Sequence, residues 1–405
     1  ADGNYRLRVA QDGDAIKLDY WCFSPALALQ DLKALGVASV LCASGTLSPL
    51  PVFAGELGLQ TYVGLQNPHV VDAEKDLLCA VVSTGPSGHA LKSTYAERKT
   101  LGYKSELGQT VCQAAEQLDK GGLLVFFPSY PALNDAVENW KGTGLFQRLE
   151  RGRVVVVEPR RAQEMRVAAV AFKHGASTQS AVMLAVCRGK AAEGMDFSDD
   201  QCRVVIITGV PYAPPSDPRV QAKRRFLDEK RIRGDKKLLI SGDAWYEQQA
   251  CRAVNQAVGR CIRHAKDWGA VLLADSRFAD AGRRKNLPAW LRHETRQPAP
   301  FADVASHLRA FVRAHHGRPT QGVEAAKPSS AFGLTTSSAL PSAARAGLQQ
   351  LPPPKGQPLG NRYLFVHAGT SDTDEAGIVR TNPAFKTSTD LSLSERGRAE
   401  AAAAR

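Results

Sequence analysis

Between about Tyr5 and His316 short apolar runs alternate with longer stretches of helical character, the signature of a parallel α/β sheet. ASVLC (Ala38–Cys42), LLVFF (Leu123–Phe127), VVVV (Val154–Val157), VMLAV (Val182–Val186), VVIIT (Val204–Thr208) and AVLLA (Ala270–Ala274) contain no internal Gly or Pro. Each is predicted to be a strand buried on both faces, because a strand wetted on one face would alternate apolar and polar residues. Helices are predicted over Ala132–Trp140 and Ala244–His264. In open parallel sheets ligands collect at the carboxyl ends of the strands, so the loops after these runs are the first place to look for chemistry.

From about Gly317 to Gly360 the chain turns to Pro, Ser, Ala, Gly and Gln, a composition too poor in apolar surface to offset ordering. Residues 317–360 are expected to be a flexible linker, followed by a short stretch at 361–405. No run approaches the roughly 18–20 apolar residues of a membrane span. The polar start ADGNYRLRVA is no signal peptide and reads as the interior of a longer gene product. The formal charge of +12 favours a polyanionic partner, since each cation laid on a phosphate releases counterions. Eight cysteines are scattered without a Cys-x-x-Cys pair, and Cys42, Cys187 and Cys261 sit within apolar stretches. They read as small buried hydrophobes in a reducing compartment, with no zinc or iron–sulfur site within this chain.

The sharpest local signal is QAVGRCIRH, Gln256 to His264. It lies late in the predicted helix, so Gln256, Arg260 and Arg263 fall at i, i+4 and i+7 on one face, opposite Val254, Val258 and Cys261. Paired guanidinium groups suit phosphate oxygens through their planar donor fork, although a solvated helix face gives the same pattern. Other loops add to it. CRGKAAEGMDFSDD (Cys187–Asp200) follows a strand, with Gly189 and Gly194 for a tight turn and Lys190, Glu193 and Asp196 beside it. Ser44 and Thr46 follow ASVLC, while Ser129 and Tyr130 follow LLVFF and offer a hydroxyl and a stacking ring.

The order SGTLSP, FFPSY, CRGKAAEGMDFSDD, VIITGVPY, AVNQAVGRCIRH and WGAVLLADSRF resembles the superfamily-2 iron–sulfur DNA helicases over about residues 15–315. NPHVVD (Asn67–Asp72) and LPAWLR (Leu287–Arg292) lean towards the telomere-elongation type. The resemblance implies the end of a first RecA-like domain over 1–75 and a second RecA-like domain over 76–316, a parallel sheet flanked by helices. It implies that Arg260 and Arg263 reach the γ-phosphate of ATP–Mg²⁺, with Gln256, Gly259, Glu193, Gly194 and Asp196 lining the nucleotide cleft. Ser44, Thr46, Ser129, Tyr130, Lys190 and Thr208 would face single-stranded or forked DNA, travelled 5′ to 3′, in a nuclear protein. No G-x-x-x-x-G-K-[ST] loop, Asp-Glu-Ala-His box or cysteine quartet occurs. The expected partner is therefore an N-terminal RecA-like half carrying the phosphate cradle and the [4Fe–4S] ligands. This chain alone is not expected to hydrolyse ATP, and a non-catalytic nucleic-acid-binding fragment remains the alternative.

Two further features are less specific. RVQAKRRFLDEKRIRGDKK (Arg219–Lys237) holds nine basic and three acidic residues, so Lys223, Arg224 and Arg225 are candidates for phosphate tracking or for a solvated face. RYLFVHAGT and LSERGR faintly resemble the opening of the histidine-phosphatase family, with His367 at the nucleophile position. Val366 and Ala368 depart from its Arg-His-Gly pattern, and the stretch is short for that domain.

Overall fold

The computed structural model describes residues 3–37, 39–44, 47, 49–59, 61–65, 71–233 and 240–317. The expected linker beyond Gly317 and the stretch 361–405, with His367, lie outside the described residues. The chain opens on an antiparallel hairpin of β1 (Tyr5–Asp12) and β2 (Ala15–Cys22). Helices α1 (Ala26–Ala34), α2 (Leu50–Glu56) and α3 (Ala73–Asp76) lead to β3 (Leu77–Thr84). Next come α4 (Leu101–Ala115), β4 (Gly121–Phe127), α5 (Tyr130–Thr143), α6 (Leu145–Glu150), β5 (Arg153–Val157), α7 (Ala162–Thr178) and β6 (Ser180–Val186). The remainder is α8 (Lys190–Gly194), β7 (Val204–Ile207), α9 (Pro218–Arg233), α10 (Gly242–Val258), β8 (Gly269–Leu273), α11 (Ala281–Arg284), α12 (Ala289–Glu294), β9 (Thr295–Pro300) and α13 (Phe301–His315).

Strands β3 to β9 form one sheet in the order β5-β6-β4-β7-β8-β3-β9, with every neighbouring pair parallel. The two-residue period of a strand sends Leu123, Val125 and Phe127 of β4 to a layer with Leu107, Trp140 and Phe301. Leu124 and Phe126 go to the opposite layer, with Phe172, Val254 and Leu291. Helices therefore cover both faces, the RecA-like α/β arrangement that the resemblance implies. Each fully buried Val, Leu or Phe contributes about 1.5–3 kcal/mol, which places the most apolar runs at the centre of the sheet.

Five of the six apolar runs are strands, within two residues of their expected ends. ASVLC is a correction: residues 39–42 form no strand, and Leu41 is 92 % exposed, so no neighbouring strand covers the run. The helix expected over Ala244–His264 is a second correction. Ser241 caps it by accepting from Ala244 N at 3.2 Å, and Ala250, Val254, Ala257 and Val258 bury its apolar face, but it ends at Val258 with Gly259 as its cap. Arg260 and Arg263 thus lie in a loop rather than on a helical face. The hairpin, β3 and β9 add to the expected set. β9 carries Pro298 and Pro300 and reads as loop, yet it occupies a sheet edge, where a missing N–H donor is tolerated.

Candidate functional site

The loop from Gly259 to Trp268 precedes β8, and Asp196 to Arg203 precede β7, so both segments sit at the edge where those strands begin. Arg260 turns inward, donating through Nε to the carbonyl of Ala192 at 2.8 Å and through its terminal nitrogens to Ala192 and Met195. Those carbonyls end α8, so the guanidinium fastens the arginine loop to that helix. Burial, then the charge of Arg263, pushes the Arg260 guanidinium below its ordinary value. Arg263 points outward, with Nε 3.1 Å from Asp196, whose side chain is 70 % exposed. Its tether is a weak one, because exposed pairs contribute ~0–1 kcal/mol.

The loop is braced from behind. Asp267 and Arg203 are both 1 % exposed and pair at 2.7 Å, while Asp267 also accepts from Arg263 N at 2.9 Å and Trp268 N at 3.0 Å. Asp200 is the second partner of Arg203 and pairs with Lys120 at 3.0 Å. Although burial raises the Asp200 carboxyl, the Lys120 hydrogen bond and the Arg203 charge hold it below its ordinary value. His264 Nε2 lies 2.9 Å from Asp199, a non-glycine residue at φ 53°.

At the opposite edge the ends of β4, β5 and β6 meet around Glu158, a residue that the sequence reading passed over. Glu158 is 3 % exposed. It accepts from Val186 N at 2.8 Å, Lys190 N at 2.6 Å and the Tyr130 hydroxyl at 3.0 Å. A Cβ on Gly189 would lie 2.3 Å from the same carboxylate, so the turn requires glycine. Burial, then the Glu158 charge, pushes the Tyr130 phenol up to about 12, and Arg160 sits over its ring at 5.0 Å. The available signal was the acid in VVVVEP, a carboxylate directly after an apolar run. Helix α8 joins the two edges, since Lys190 opens it beside Glu158 and Arg260 holds its end.

Other expected residues scatter. Gln256 is half-buried in the last turn of α10, with no side-chain hydrogen bond among the described residues, and Glu193 and Gly194 are exposed in α8. Ser129 caps α5 by accepting from Ala132 N at 3.4 Å. Ser44 is exposed, and Thr46 lies outside the described residues. Thr208 is a correction: it is fully buried, and its hydroxyl donates to the Phe126 carbonyl at 3.1 Å, so it offers nothing to a strand of DNA. The basic stretch also divides. Lys223 donates inward to the Phe23 carbonyl at 2.6 Å and Arg224 pairs with Asp243, while Arg225 is exposed.

Among the described residues one trio of possible metal ligands converges, Asp199, His264 and Asp267. The donors do not suit a resident ion, because both Asp267 oxygens are already held by Arg203 and backbone N–H groups. Cys79, Cys112, Cys187, Cys202, Cys251 and Cys261 are buried and outside any disulfide, and among the described residues none joins such a group.

The helicase C-terminal domain family matches residues 112–294. The chain is 41 % identical over 334 residues to a regulator of telomere elongation helicase 1 homolog of Oryza sativa subsp. japonica, covering 76 % of this chain and 33 % of that protein. The homolog of Drosophila sechellia is 41 % identical over 300 residues, covering 73 % and 31 %. The chain thus spans about a third of the length of the curated relatives it matches. Among solved structures, an XPD helicase aligns at 21 % identity and a TM-score of 0.46, over 66 % of this chain and 44 % of that one. The family match takes in β4 to β8 and both edges of the site, so residues 112–294 are similar to a helicase C-terminal domain.

Proposed function

We propose that this chain is the C-terminal motor half of an ATP-dependent 5′–3′ DNA helicase of genome maintenance, nuclear and of the telomere-elongation type. The observation that carries the reading is the division of labour in the arginine loop. Arg260 is locked to the backbone of α8, while Arg263 is held outward by one exposed carboxylate. A guanidinium so placed can leave Asp196 for a phosphate at little cost, because an exposed pair is weak. In phosphoryl transfer such an arginine stabilises charge spreading over the γ-phosphate. The half-buried Gln256 amide, without a partner among the described residues, suits the same cleft.

The triphosphate and Mg²⁺ would be held chiefly by an N-terminal half, since this chain has no P-loop, and any [4Fe–4S] cluster belongs to that half too. This chain's own part is positional. Arg260 makes any shift of the arginine loop a shift of α8, and α8 begins at the Lys190 N–H that Glu158 holds beside Tyr130. In this reading the nucleotide acts at one edge of the sheet and the DNA strand at the other, along Ser129, Tyr130 and Lys190.

The isolated chain is expected to show no DNA-stimulated ATP hydrolysis. Joined to a P-loop-bearing N-terminal half it should hydrolyse ATP, and Arg263→Ala should lower kcat by about 10³ or more with single-strand binding retained. Unchanged turnover in that variant would remove Arg263 from the cleft. A joined protein that binds DNA without hydrolysing ATP would favour the non-catalytic alternative.

A further inference from the structure

A cavity of about 250 Å³ lies between the segment after the hairpin and helix α9, away from both edges of the sheet. Two ammonium groups line it, Lys223 and Lys230. Lys223 Nζ donates to the Phe23 carbonyl at 2.6 Å, and Lys230 Nζ donates to Ser24 Oγ at 3.3 Å. Among the described residues neither forms an ion pair. Both stand over the Phe226 ring, at 5.4 and 4.9 Å. Among the described residues one acidic residue lines the cavity, Glu56, which has Arg252 3.8 Å away. Burial pushes both lysines below their ordinary value, and for Lys223 the Lys230 charge adds to it, against Glu56.

Two like charges in one partly desolvated cavity are costly unless an opposite charge joins them. Each ammonium has three donors and uses one in the contacts above, so both retain donors for an anion. Asn4 and Gln30 also line the cavity. Each ammonium is a compact point charge without the planar fork of arginine, which suits a compact oxyanion such as phosphate.

We propose that this cavity is a binding site for a phosphate-class oxyanion, held between Lys223 and Lys230 and bridging α9 to the segment after the hairpin. The chemistry is shared by free phosphate and by one phosphate of a nucleic-acid backbone. The site stands apart from the ATP-cleft reading and does not depend on it.

The test titrates the full chain with inorganic phosphate against sodium chloride of matched ionic strength, following the melting temperature and calorimetric heat. Phosphate at about ten times its dissociation constant should raise the melting temperature by about 3 °C. Lys223 also holds Phe23, so the primary variant is Lys230→Gln, with an unliganded melting curve confirming that it folds. It should lose at least about tenfold in phosphate affinity, while Arg225→Gln on the exposed side of α9 should lose none. Competition by a single-stranded oligonucleotide assigns the site to a backbone phosphate, and its absence to a free anion. Equal phosphate responses in wild type and Lys230→Gln, or no response beyond chloride, overturn the proposal.

Discussion

Arg260 and Arg263 are three residues apart and have opposite surroundings. Arg260 donates to two carbonyls that close α8, and hydrogen bonds from charged donors are worth about 1.5–3 kcal/mol each when their acceptors would otherwise be buried. Arg260→Ala is therefore expected to cost about 2–3 kcal/mol in urea unfolding, and Arg263→Ala less than about 0.5 kcal/mol. Equal losses would contradict the division of labour. Asp200 adds an acid-side dependence. Its carboxyl sits below its ordinary value when folded, so its contribution is full above about pH 4 and is lost as pH falls through that lowered value. Replacing Lys120 by Ala should flatten the fall in stability between about pH 4 and 2, which acid-titrated melting curves would read.

Among the elements, the start of β8 sets the position of the arginine loop. A Cβ on Gly269 would stand 2.3 Å from Cys261 Sγ, and no real pair of atoms tolerates that distance. Gly269→Ala is expected to destabilise the chain by about 1–3 kcal/mol through overpacking. Adding Cys261→Ala should recover most of the loss, because the two residues share one space. Additive losses would place the strain elsewhere. Helix α8 depends on two contacts, the Lys190 N–H held by Glu158 at its start and the Ala192 and Met195 carbonyls held by Arg260 at its end. Five residues make a poor helix on their own, and these contacts supply what length does not.

At the scale of the molecule, the hairpin presents an open apolar face among the described residues. Leu7, Val9, Ile16, Leu18 and Tyr20 are each more than 60 % exposed, and register places Leu7 opposite Tyr20, Val9 opposite Leu18 and Gln11 opposite Ile16 on one face of the hairpin. A contiguous apolar face promotes association when nothing covers it. Ile16→Lys with Leu18→Lys is expected to reduce concentration-dependent light scattering and to move the melting temperature by less than about 2 °C. A large loss of stability would mean that the face is buried in solution.

The sequence by itself determined the parallel sheet, because five apolar runs without Gly or Pro could be buried only on both faces. Through its motifs it also marked Gln256 to His264 and Cys187 to Asp200 as the segments to watch. Tertiary structure decided how they are used. Helical periodicity carried Arg260 and Arg263 onto one face, but Gly259 ends the helix, and the carbonyls of Ala192 and Met195, distant in sequence, draw one arginine inward. Beyond its place after an apolar run, nothing near Glu158 in the chain marks it, and its three donors converge only where the end of β6 and the starts of α8 and α5 meet. Thr208 looked available for DNA, since the strand that takes its hydroxyl is distant in the chain, and Lys223 looked like a surface cation, since the Phe23 carbonyl it reaches is 200 residues away. Periodicity reports on local burial, whereas a polar side chain's partner is set by segments that meet only when the sheet has formed.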